Sequence, residues 1–178
     1  MADRVQLRVK RLAKTQAAQR SHILTAADTL ILRLYRAAVP AGWQCGWCDA
    51  TVTRDGSLRY AGVGAVILND RGREVARLSE PIAECEPFEA EIAALEAALQ
   101  AAAGHGGRAR RIRVYTDCGA LVSLWLQRRR DPRLSTVRLM ASRLRRFELR
   151  HVPRRHNQIA HRLARKAAAR LRQAGSPA

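Results

Sequence analysis

The sequence predicts an α/β protein: a five-stranded mixed sheet flanked by helices, with a helical N-terminal extension. Three observations predict it. Short apolar runs bounded by turn residues recur from Gln44 to Val152, as strands do. The first three are separated only by short polar turns, which makes them an antiparallel meander. The later ones are separated by helix-patterned stretches, which makes parallel pairs joined by right-handed crossovers. The element order is therefore βββαβαβα behind the extension.

Residues from about Asp3 to Val39 read as helix, broken near Ser21, with Val5, Val9 and Leu12 at helical spacing among basic residues. Thr25, followed three residues on by Asp28, resembles a capping box for the run Leu30-Ile31-Leu32. Pro40 and Gly42 close the segment. The chain thus divides into a basic helical extension, residues 1–42, and a main domain, residues 43–178. The extension is expected to raise affinity for polyanions, to pack on the main domain, or to mediate dimerisation.

In the main domain the first strand covers Gln44 to Thr53 and the second Ala61 to Leu68, with Gly62 and Gly64 allowing close backbone approach. Asn69-Asp70-Arg71-Gly72 is a hairpin turn into a third strand, Arg73 to Pro81. A helix over Pro87–Ala103, a glycine-rich break over Gly104–Gly107 and a strand over Arg111–Thr116 follow. A short helix, Ala120 to Gln127, leads through a basic connection to a helix over Ser135–Arg146, a strand over Phe147–Val152 and a last helix over Asn157–Gln173.

Composition narrows the partners. Lys+Arg total 33 against 15 Asp+Glu, a net charge of +18. That balance favours polyanions, nucleic acid first and anionic membrane second. Lys10, Lys14 and Lys166 are the only lysines, and the arginines that make up the rest suit bidentate phosphate contacts. No apolar run is long enough to span a membrane, and no signal peptide is visible. Four cysteines form no disulfide scaffold, which points to a reducing, cytoplasmic setting. Nothing in the sequence sets the oligomeric state; a monomer is expected.

Three acids stand out. Asp49 lies inside the apolar stretch Trp47-Cys48-Asp49-Ala50-Thr51-Val52, Glu91 lies on the apolar-periodic segment after Phe88, and Asp117 ends the run Ile112-Arg113-Val114-Tyr115-Thr116. A carboxylate in a buried strand is costly unless a cation meets it. Three that converge suggest a divalent metal. The other glutamates between Glu84 and Glu96 suit a solvated helix start.

Four blocks, in this order, resemble type 1 ribonuclease H, whose members cut the RNA strand of RNA–DNA hybrids. They are Cys48-Asp49-Ala50-Thr51 with Ala61-Gly62-Val63-Gly64-Ala65-Val66; Ala90-Glu91-Ile92-Ala93-Ala94-Leu95; Val114-Tyr115-Thr116-Asp117-Cys118; and Val152-Pro153-Arg154-Arg155-His156-Asn157-Gln158-Ile159-Ala160-His161-Arg162-Leu163-Ala164. The resemblance covers roughly Trp47 to Ala168. It implies a ribonuclease H-like sheet with the first and fourth strands adjacent. It also implies two Mg²⁺ or Mn²⁺ ions held by Asp49, Glu91, Asp117 and His161, and an RNA–DNA hybrid as substrate. Thr51 and Gly62 would approach the RNA backbone and its 2′-hydroxyls. Arg154, Arg155 and His156 would meet phosphates, and Asn157 would cap the last helix and help hold substrate.

His161 departs from the family pattern, which has Asp there. The swap lowers the negative charge of the site, so Mn²⁺ is expected to be preferred over Mg²⁺, with activity falling below about pH 6.5 as the imidazole protonates. It also opens two other readings: a nucleic-acid-binding protein with impaired catalysis, and a DNA or junction nuclease of the same fold. Cys45-Gly46-Trp47-Cys48 has the spacing of a redox pair or half a zinc site, although a strand running through both residues argues for buried thiols.

Overall fold

The computed structural model describes residues 26–105, 111–127 and 131–175. The helix expected over residues 3–25, its break near Ser21, the Thr25 cap, Gly106-Gly107 and Arg128-Arg129-Arg130 lie outside the described residues.

The order of elements follows the sequence reading. Helix α1 is Ala26–Ala37. Strands β1 (Trp43–Asp55), β2 (Leu58–Leu68) and β3 (Glu74–Ile82) form the meander. Helix α2 (Pro87–Gly104) precedes β4 (Arg111–Thr116), α3 (Gly119–Leu126) and α4 (Ser135–Ser142) lead to β5 (Arg146–His151), and α5 (Gln158–Gly175) ends the described chain. The sheet order is β3-β2-β1-β4-β5. The β1–β2 and β2–β3 pairs are antiparallel, and the β1–β4 and β4–β5 pairs are parallel.

Local chemistry sets the boundaries. The first hairpin is tighter than expected, because Asp55 pairs with Leu58 around Gly56 at φ 59°. The second is closed by Asn69, whose Oδ1 accepts from the Arg71 and Arg73 amides at 3.0 Å. Pro81 is tolerated because β3 is an edge strand. The Glu89 carboxylate accepts the Glu86 amide at 3.1 Å at the head of α2. Helix α4 stops at Ser142 rather than at Arg146, which opens β5 instead.

Alternation along β1 gives the sheet two different faces. Cys48, with Val63, Ala65 and Ile67 of β2, packs under α2, α3 and α4. Trp43, Cys45 and Trp47, with Val66 and Leu68, pack under α1 and α5. Leu32 and Tyr35 of α1 are buried in that second cluster against Trp43, Trp47 and Ile159. The division at residue 42 therefore runs through one continuous apolar core. No helix among the described residues is long and apolar enough to cross a membrane.

Candidate active site

The site forms where β1 and β4 run side by side. Trp47 is level with Tyr115, so two residues further on Asp49 and Asp117 emerge together on the face covered by α5. Asp49 is 2% exposed. Helix α5 sets His161 over it, Nδ1 lying 2.7 Å from the Asp49 carboxylate. Helix α2 brings Glu91 from the opposite layer, its Oε2 buried without a partner. Asn157, fully buried at the head of α5, donates from Nδ2 to the Cys48 carbonyl at 2.9 Å and to Asp117 Oδ1 at 2.8 Å.

These groups act on one another electrostatically. Burial, then the Glu91 and Asp117 charges and a hydrogen bond with Asp117, push Asp49 up to about 8, while Arg154 opposes the rise. Burial and Asp117 push Glu91 up to about 7. The like charges of Asp49, Glu91 and Asp117 thus oppose one another in a poorly solvated place, a repulsion that a bound cation would relieve. Burial, Arg154 and Arg165 hold the His161 imidazole below its ordinary range. Both shifts disfavour an ion pair: Asp49 is driven toward the acid and His161 toward neutral imidazole. The acid limb expected near pH 6.5 therefore moves lower.

Hard carboxylate oxygens, an orphaned Glu91 oxygen and a neutral imidazole are the donor set a Mg²⁺ or Mn²⁺ ion takes. As arranged, no three Asp, Glu, His or Cys side chains among the described residues close on one point at ligand distance. Existing partners explain this: Asp49 is held by His161, Asp117 by Asn157, and Arg154 lies 4.0 Å from Asp117 and 3.1 Å from His161 Nε2. The four expected ligands form one electrostatic unit held apart by these contacts.

The expected substrate contacts divide. Arg154, Arg155 and His156 are exposed on a short 3₁₀ turn, Arg154–His156, beside the acids, placed to meet an incoming anion. Thr51 is half-buried, with an unpartnered Oγ1. Gly62 has a different explanation, since a Cβ there would lie 2.5 Å from the Ala168 amide nitrogen. Its free side is closed by α5, so helix packing accounts for the glycine. Asn157 is also corrected. Its carbonyl accepts the first bond of α5, from the His161 amide, but its Oδ1 is unpartnered, so the side chain does not cap. Buried as it is, it orients Asp117. The redox or zinc reading of Cys45 and Cys48 fails, because the two thiols lie on opposite faces of β1. Burial pushes Cys45 up to about 12 and Cys48 well above its ordinary range.

Two residues missed in the sequence border the site. Arg165, one turn after His161, carries a detectable signal in its i+4 spacing. Tyr35, in the extension, carries none beyond being aromatic in a chain with few aromatics.

A family model described as reverse transcriptase-like matches residues 48–167, most of the chain, and spans all four ligand candidates. The chain belongs to this ribonuclease H-like family. RNase H1 from the halophilic archaeon Halobacterium salinarum is 27% identical with a TM-score of 0.62, over 72% of this chain and 99% of that one. The N-terminal RNase H domain of a Mycobacterium tuberculosis protein, solved as a fusion with maltose-binding protein, is 26% identical with a TM-score of 0.62, over 74% and 99%. LC11-RNase H1, solved in complex with an RNA/DNA hybrid, shares the fold at 20% identity and a TM-score of 0.63, over 72% of this chain and 98% of that one. No curated protein matches the chain. The ribonuclease H-like match begins at residue 48, so α1 lies ahead of it.

Proposed function

We propose that the protein is an endoribonuclease that hydrolyses the RNA strand of RNA–DNA hybrids, leaving 5′-phosphate ends. The observation that carries this reading is the buried Asp49 brought beside Asp117 by the β1–β4 pairing, with the orphaned Glu91 oxygen facing them from α2, in a chain of net charge +18. Family membership and the hybrid bound by LC11-RNase H1 support the substrate class. Asp49, Glu91, Asp117 and His161 would hold two divalent ions, Mn²⁺ in preference to Mg²⁺. Bound there, the ions would supply an activated water and stabilise the leaving oxygen. Asn157 keeps Asp117 turned toward the pocket. Arg154 and Arg155 attract the phosphate backbone, and Arg154 must leave Asp117 and His161 when the site is loaded.

One observation favours a second reading, a nucleic-acid-binding protein with impaired catalysis: Arg154 already supplies positive charge to the acids. A cleavage assay on labelled hybrid, with duplex RNA and a four-way DNA junction alongside, in Mg²⁺ and in Mn²⁺, separates the readings. Wild type is expected to cut hybrid best in Mn²⁺. Asp117→Asn is expected to bind hybrid equally well while losing at least about a thousandfold in rate. Binding without cleavage by wild type in Mn²⁺ establishes the second reading instead.

A further inference from the structure

A row of stacked aromatic rings runs directly behind the carboxylates. Tyr35 of α1 stacks on Trp47 of β1 with centroids 4.0 Å apart and planes 3° apart. Trp47 in turn stacks on Tyr115 of β4 at 4.9 Å and 21°. Trp47 precedes Asp49 by two residues and Tyr115 precedes Asp117 by two, so each ring shares a strand face with the acid in front of it.

The Tyr35 side chain is 2% exposed, and it packs in one apolar cluster with Trp43, with Trp47 and with Ile159 at the start of α5. Its hydroxyl is buried without a hydrogen-bond partner. Helix α1 is also fastened at both ends: Asp28 pairs with Arg162, next to His161, and the Tyr115 hydroxyl donates to the Ala38 carbonyl at 3.5 Å.

We propose that Tyr35 is a positioning residue of the active site, its ring holding the β1–β4 pair level and packing against the start of α5, so that Asp49, Asp117 and His161 keep their relative places. Helix α1 is then a working part of the nuclease. The kinetic side of this inference rests on the hydrolytic reading above; the structural side does not.

The test uses the full chain with Tyr35→Phe, which keeps the ring stack, and Tyr35→Leu, which removes it. Amide hydrogen exchange at Ile159 is followed by NMR, and kcat and KM are measured on hybrid in Mn²⁺. Tyr35→Leu is expected to speed Ile159 exchange about tenfold and to lower kcat about a hundredfold at unchanged KM. Tyr35→Phe, with its ring kept, is expected to stay within about twofold of wild type in both. A folded Tyr35→Leu protein with wild-type Ile159 exchange and kcat within twofold of wild type overturns the proposal. If wild type itself cuts no hybrid, the hydrolytic reading falls, and Ile159 exchange alone decides the role of Tyr35.

Discussion

Helix α5 touches the sheet in two regions that differ in kind. Along most of its length, small residues settle onto Gly62 and Gly64 of β2, where a Cβ at Gly64 would lie 2.2 Å from the Ala160 carbonyl and 2.5 Å from the Ala164 amide. That contact is closely packed, and the Ser79 hydroxyl adds a bond to the Leu163 carbonyl at 2.8 Å. At its start, the same helix holds Asn157 and His161 against Asp117 and Asp49, where buried acids oppose one another. Buried atoms of Tyr35, Glu91 and Asn157 lack partners there. The comparison teaches that the glycine seam does the anchoring. Because the seam fixes α5, the strained start cannot relax, and polar groups stay poised that a free helix end would satisfy with water.

The largest expected effect comes from breaking the seam. Gly64→Ala drives a methyl into backbone atoms that cannot step aside, so a loss of about 3 kcal/mol or more is expected, read by thermal or urea unfolding. Activity is expected to vanish with the fold. A Gly64→Ala protein that unfolds like wild type breaks the comparison, because α5 would then be movable and the poise of the site would need another cause.

How much of this was legible in the sequence follows the same division. The meander and the crossovers were readable from period and connection length, and the pairing of the first and fourth strands from the family resemblance. The acids at 49, 91 and 117 were readable, because a charge inside an apolar strand, on an apolar-periodic helix or at the end of an apolar run is conspicuous. Gly62 and Gly64 were noticed as places of close approach, but what approaches is a helix a hundred residues away, which no local pattern reveals. Asn157 looked like a cap because its position is one; its side chain was drawn elsewhere by Asp117, a tertiary effect. Tyr35 was invisible for the same reason.

A smaller effect sharpens the other half of the comparison. Asp49 and Glu91 have folded-state values near 8 and 7, above those of the unfolded chain. The folded protein thus holds protons that the unfolded chain releases, and metal-free stability is present below about pH 4 and lost as pH rises toward 8. The melting temperature of metal-free protein should fall over that range. Mn²⁺ at a hundred times its Kd should restore about 2.7 kcal/mol at pH 8. Asp49→Asn should raise metal-free stability at pH 8 by about 2 kcal/mol while abolishing cleavage. A flat pH–stability curve shows that the acids are not coupled.

The smallest and most specific effect concerns His161. Its imidazole is held below the ordinary range by burial, Arg154 and Arg165, so protonation sets in only at lower pH than for a free histidine. If it holds a metal, wild-type activity in Mn²⁺ stays level from neutral pH to below about 6.5 before it drops. His161→Asp replaces that limb with carboxylate titration and adds a negative charge beside Asp49. The added charge should raise Mg²⁺ affinity about tenfold and narrow the gap between Mg²⁺ and Mn²⁺ rates. It should also deepen the loss of metal-free stability at pH 8 by about 1 kcal/mol, because the carboxylate Oδ2 of Asp49 loses its imidazole partner and gains a like charge. The two readouts move in opposite directions only if residue 161 belongs to the strained start of α5 and not to its anchoring seam. An unchanged pH–rate profile in His161→Asp removes the residue from the ligand set.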